Sequence, residues 1–122
     1  MVHGTLLGTA YLYHLQTDGL RNWVTWPLKQ AGIQSPVTLN RPKIEAPVLT
    51  SEKGLAVTLL NWTGDIPATD FQITVNLACF PGKKISRVTS VEQGDLPFTQ
   101  EGDKAKIMVP SLELADVLKV YW

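Results

Sequence analysis

The chain is poor in the groups that carry most protein chemistry. It has one cysteine, Cys79, so no internal disulfide can form and the redox compartment leaves no mark. Its two histidines, His3 and His14, have no Cys or carboxylate at metal spacing beside them, so the paired ligands of a zinc site are missing. No apolar run approaches the roughly 20 residues that cross a bilayer as a helix. The 11 basic and 11 acidic residues cancel to a formal net charge of +0, which gives no electrostatic footprint for nucleic acid or an anionic membrane. No Gly-rich phosphate loop, Gly-x-Ser-x-Gly elbow or Ser/His/Asp set is present. The sequence thus calls for no cofactor and no metal.

What is there suits a packed scaffold. At 122 residues, 44% hydrophobic and 18% charged, the chain is the size of one domain and can fill a core. Val57 and Leu59 alternate with polar or small neighbours in Leu55–Thr63, and a turn follows at Gly64-Asp65. Phe71, Ile73, Val75 and Leu77 then alternate with Gln72, Thr74 and Asn76. Period 2 on both sides of a turn predicts an antiparallel pair with one face in a core and one in water.

The same pattern continues from Lys43 to the end. Strands are expected at 44–50, 55–62, 70–79, 85–92, 96–100, 104–109 and 117–122, with residues 112–115 crossing over. Within 85–92 the alternation sets Ile85, Arg87, Thr89 and Val91 against Ser86, Val88 and Ser90. Pro97 marks its strand as an edge or a bulge, and Glu101-Gly102-Asp103 reads as a hairpin loop. About seven short strands with turn signals every 8–12 residues or so predict an all-β, Ig-like antiparallel sandwich over 43–122.

Residues 1–42 differ. They hold only Arg21, Lys29, Arg41 and Asp18 among the charges, together with Tyr11, Tyr13, Trp23, Trp26 and both histidines. Thr5 to Leu15 reads as a strand and Asp18-Gly19 as a turn. Residues 23–32 suggest a short helix, with Pro27 in its first turn and Gly32 just past its end. Residues 34–42, with Pro36 and Pro42, read as an extended connector. A sparsely charged aromatic segment suits contact with another surface.

The candidate sites are few. The carboxylates fall mostly in turns, where Asp bonds its own backbone, and solvated turns are poor places to raise a carboxyl pKa for glycoside hydrolysis. Asp116 interrupts an apolar stretch and is expected to accept backbone N–H bonds at the entry to the last strand. Tyr11, Tyr13, Trp23 and Trp26 are the candidate ligand-binding residues, either as a stacking platform for sugar rings or as an interface. Trp62, closing an alternating strand, is expected in the core. Asn61-Trp62-Thr63 matches a glycosylation sequon by chance, and Cys79 reads as a passive thiol. The opening Met1-Val2-His3-Gly4 has no basic region followed by an apolar block, which favours a cytoplasmic chain or a piece of a longer one.

Residues 43–122 resemble the small C-terminal β-sandwich of bacterial β-galactosidase-like glycoside hydrolases. The segments that carry the resemblance are Glu52–Gly64, Val88–Gly94, Leu96–Asp103 and Val109–Leu118. Residues 1–42 are similar to the end of the α/β domain that precedes this tail, with Gly8–Leu12 as its last strand and Ala31-Gly32-Ile33 as the link. The resemblance implies a non-catalytic accessory domain. The family's catalytic acid and nucleophile lie in a barrel far upstream and have no counterpart here. It also implies upstream domains of a parent chain as partners, with a homodimer through the N-terminal segment as a further expectation. A carbohydrate-binding module and a free-standing self-associating sandwich are the alternatives.

Overall fold

The computed structural model describes residues 18–122, and the side chains of residues 18, 20 and 21 are left undescribed. The chain divides into two compact units, Met1–Gln34 and Ser35–Trp122. The expected strand at 5–15 lies outside the described residues.

In the first unit, α1 spans Asp18–Gln30. It begins earlier than expected: Asp18-Gly19 belongs to the helix, and Pro27 lies inside it rather than in its first turn. Gly19 is the only residue of low helix propensity before Pro27, and the Pro ring, which removes one N–H from the ladder and crowds the Trp23 carbonyl, falls in the last turns of the helix. The C-terminus closes as expected at Gly32 (φ 67°). Ile33 N–H donates to Leu28 O at 3.0 Å and Gly32 N–H to Lys29 O at 3.1 Å, the paired bonds of a Schellman motif.

The second unit is a sandwich of two antiparallel sheets. Its strands are β1 (Val37–Leu39), β2 (Ile44–Glu45), β3 (Val48–Ser51), β4 (Gly54–Asn61), β5 (Ala68–Asn76), β6 (Arg87–Ser90), β7 (Gly94–Asp95), β8 (Phe98–Glu101), β9 (Lys104–Leu112) and β10 (Ala115–Tyr121). The first sheet runs β1-β5-β9-β8. The second runs β2-β4-β10-β6-β7, with β3 also pairing β4. The connector segment thus supplies an edge strand, β1. Strands β2 and β3 are one edge interrupted at Ala46-Pro47, where Pro47 O still accepts from Thr58 N–H at 3.0 Å. β8 is an edge strand, as Pro97 indicated.

The core lies between the sheets. One row crosses the whole first sheet, Leu39–Ile73–Ile107–Phe98. Facing it, Val57 and Leu118 pair on the second sheet. Phe71, Ile73, Val75 and Leu77 are all buried, as the alternation predicts, with Leu77 placed in a 3-10 turn just after β5. Cys79 ends that turn and is half-buried.

Two departures from strict alternation have local causes. On β5 the inward positions step from Ala68 to Phe71, and on β9 from Val109 to Leu112. The irregularity falls where Asp70 (φ 50°) stands opposite Pro110, a residue with no N–H for the ladder. Near residue 85 the expected alternation holds from Arg87 onward, with Val88 and Ser90 buried and Arg87 and Val91 exposed, but Ile85 falls out of its row. Ile85 is buried but precedes the strand, which starts only at Arg87, so the phase resets between them.

Candidate functional site

Of the four aromatics picked out in the N-terminal segment, Tyr11 and Tyr13 lie outside the described residues. Trp23 and Trp26 sit three residues apart on α1, a spacing that brings side chains together on one helix face. They are 46% and 45% exposed, and with Gly19 and Asn22 they line a shallow hollow. Asn22 Oδ1 accepts from Lys29 Nζ at 3.1 Å along the same helix.

In the sandwich, polar chemistry is concentrated at two buried nodes, and both are structural. The first is Asn61, 4% exposed at the end of β4. The inward period of β4 runs Leu55, Val57, Leu59 and then Asn61, so an amide occupies a core position. Its Nδ2 lies within hydrogen-bond distance of the carbonyl oxygens of Ile66 (3.0 Å), Leu112 (3.3 Å) and Glu113 (2.8 Å). Its Oδ1 accepts from the Thr63 N–H at 3.0 Å and hydroxyl at 2.6 Å. Asn61 N–H donates to Leu114 O at 2.9 Å. One side chain thereby ties the β4–β5 turn to the β9–β10 crossover. The amide of the Asn61-Trp62-Thr63 sequon is thus buried and hydrogen-bonded, not presented to solvent.

Because Asn61 takes the inward position, its neighbour Trp62 turns outward. The expectation of a core Trp62 is therefore wrong; the residue is 64% exposed. Ile66 (67%) and Leu114 (72%) are exposed on the other two segments bonded to Asn61.

The second node is Asp116, 5% exposed. Its Oδ2 accepts from the Ser90 hydroxyl, and Oδ1 accepts from Val117 N–H at 2.6 Å and Glu92 N–H at 3.3 Å. Ser90 Oγ in turn accepts from Gln93 N–H at 2.8 Å. The carboxylate caps the turn after β6 and joins it to β10, the backbone-bonding role expected from sequence. Ser90 was missed because an isolated serine in an alternating strand carries no signal of burial.

Among the described residues, no three His, Cys, Asp or Glu side chains converge to hold a metal ion. Every buried side-chain polar atom described has a hydrogen-bond partner. The arrangement can hold turns and crossovers rigid. Glu92 and Glu113 line one open hollow together with Gln93, Ser111 and Asp116, and the Asp116 carboxylate in it is already bonded to the Ser90 hydroxyl, Glu92 N–H and Val117 N–H.

No protein-family model matches the chain, and no curated protein matches it. Among solved structures, it is similar to α-L-fucosidase isoenzyme 2 from Paenibacillus thiaminolyticus, with a TM-score of 0.71 at 17% sequence identity. The match covers 95% of this chain and 20% of that one, so the chain spans about a fifth of the fucosidase's length. At this identity the likeness is one of fold.

Proposed function

We propose that the chain is a non-catalytic accessory β-sandwich of a glycoside-hydrolase-like protein, of the Ig-like kind that closes β-galactosidase-like enzymes, and that it packs on neighbouring domains or subunits. The single observation that carries this reading is the fold likeness to one-fifth of a fucosidase chain. A segment of that size in a much longer enzyme is an appended layer rather than a barrel. The polar nodes agree in kind. Asn61 and Asp116 spend most of their hydrogen-bonding capacity on backbone groups and on the Thr63 and Ser90 hydroxyls, which makes a rigid support.

The test is turnover. The pure chain, given aryl β-galactosides and aryl α-L-fucosides, should release no phenol above the buffer blank. Turnover abolished by changing one Asp or Glu would contradict the reading.

A second reading, sugar binding, draws on the hollow at Trp23 and Trp26. Two indoles one turn apart offer apolar faces to the C–H side of a pyranose. Galacto- or fuco-oligosaccharides would then shift the tryptophan emission, and Trp26→Ala would remove the shift. No shift at saturating sugar would dismiss this reading.

A further inference from the structure

The edge strand β1 is held by one neighbour. Among the described residues it pairs with β5 and with no other strand. Val37, Thr38 and Leu39 stand opposite Val75, Thr74 and Ile73. Pro36 O accepts from Asn76 N–H at 2.8 Å, and Asn40 N–H donates to Gln72 O at 3.2 Å. Asn40 Oδ1 accepts from Gln72 N–H at 2.8 Å, and Arg41 Nη1 donates to Thr69 O at 3.1 Å. Val37 is buried in the core and Leu39 packs against it. Residues 35–41 thus form a strap in one slot, with backbone partners on β5 and two apolar side chains turned to the core. The strap begins the second unit, which starts at Ser35, so no earlier strand of the sandwich has to be unthreaded when it leaves.

A strained joint ties the strap to the rest of the sandwich. Strand β1 lies in the first sheet and β2 in the second, and residues 40–43 cross between them. Lys43 makes that crossing with φ 61°, a left-handed backbone that costs free energy in any residue with a Cβ. Its carbonyl oxygen accepts from Trp62 N–H at 2.8 Å, which fixes the C-terminal side of the residue beside the end of β4. A turn about the N–Cα bond of Lys43, to ordinary extended backbone, therefore redirects everything before it and leaves β2 in place. Pro42 already disfavours helical backbone at Arg41, so the change is concentrated at Lys43. Short joints under strain of this kind favour exchange of the element they carry.

We infer that the slot beside β5 accepts the strap of a second copy of the chain, giving a two-fold dimer in which residues 35–41 are exchanged by rotation at Lys43. The slot itself names the occupant: it is built for these residues, and a second copy carries the same ones. Each copy gives a strap and receives one. Every contact the strap loses in its own chain is regained in the other, and the strain at both Lys43 residues is released. The cost of bringing two chains together opposes the exchange. The inference goes beyond the accessory-domain reading. A chain that stays monomeric removes the exchange and leaves that reading to the turnover test.

The test is refolding of the full 122-residue chain from urea at rising concentrations up to about 200 µM, with the dimer fraction read by sedimentation velocity. The wild-type chain should form a dimer at the high end of the range. That dimer should persist for hours on dilution into buffer and return to monomer in mild urea, because exchange requires the strap to lift. Lys43→Gly takes the φ of 61° without strain. It should raise the dissociation constant at least about tenfold, since two joints per dimer are relaxed in the monomer. Lys43→Val, β-branched and most strained in that backbone, should lower it. Circular dichroism melting shows that each variant folds. A wild-type chain that stays monomeric across the range overturns the inference. A dimer that falls apart at once on dilution, or one indifferent to Lys43→Gly, also overturns it and points to association through a surface instead.

Discussion

Asn61 Nδ2 and the carbonyl oxygen of Glu113, 52 residues apart in sequence, are joined at 2.8 Å. This bond closes one end of the sandwich, because β4 ends at Asn61 and the crossover between the sheets begins after Leu112. The same side chain also engages Ile66 and Thr63, so the two connections are held as one body.

Replacing Asn61 should therefore cost more than its modest size suggests. Asn61→Ala leaves buried carbonyls without donors, and the expected loss is about 2–4 kcal/mol. Thr63→Ala, which removes one hydroxyl donor, should cost about 1 kcal/mol. Urea unfolding checks both, and equal losses for the two variants would contradict the node.

Asp116 gives the parallel case in the second sheet. Asp116→Ala should destabilise by about 1–3 kcal/mol, since the Ser90 hydroxyl and two backbone N–H groups lose their acceptor. Asp116→Asn keeps one acceptor oxygen and should recover part of that loss. Amide hydrogen exchange at Glu92 and Val117 should quicken in the alanine variant.

The alternation on β5 makes a two-sided prediction. Ile73→Ala or Val75→Ala, at fully buried sites, should cost on the order of 2–4 kcal/mol through lost transfer energy and a cavity. Gln72→Ala or Thr74→Ala, on the outward side, should cost well under about 1 kcal/mol. Similar costs on both sides, read from denaturant midpoints, would mean the register is wrong.

Gly54 is constrained from the other direction. A Cβ on it would stand 2.0 Å from the backbone oxygen of Val120, and its φ of 156° disfavours side chains. Gly54→Ala should therefore cost more than about 3 kcal/mol, because the obstacle is backbone of the paired strand and cannot swing aside. A melting temperature within a degree or so of wild type would refute this.

These residues mark where the sequence was legible. Phe71, Ile73, Val75, Ala105, Ile107 and Val109 announce their facing by period 2, and a one-residue slip would turn every one of them outward. The loop at Gly102-Asp103 and the edge at Pro97 follow from backbone chemistry alone. Harder to read were places where long-range pairing decides. Val37–Leu39 looks like connector until β5 is beside it. Ile85 and Val88 share the core only because the strand starts between them. Trp62 faces out because the period of Leu55, Val57 and Leu59 carries on to Asn61, whose amide reads as an outward residue by polarity although its phase is inward. Of the aromatics picked out in the N-terminal segment, α1 gathers Trp23 and Trp26 on a spacing that sequence could suggest but not assign to a ligand.

The most direct measurement is the size of the native polypeptide that carries this sandwich. Antiserum raised against the chain, applied to an extract of the source cells, should stain a band several times larger than 122 residues. Mass spectrometry of that band should find peptides of residues 35–122 together with those of a glycoside-hydrolase barrel. A stained band of the chain's own size, with no larger product, would contradict the account.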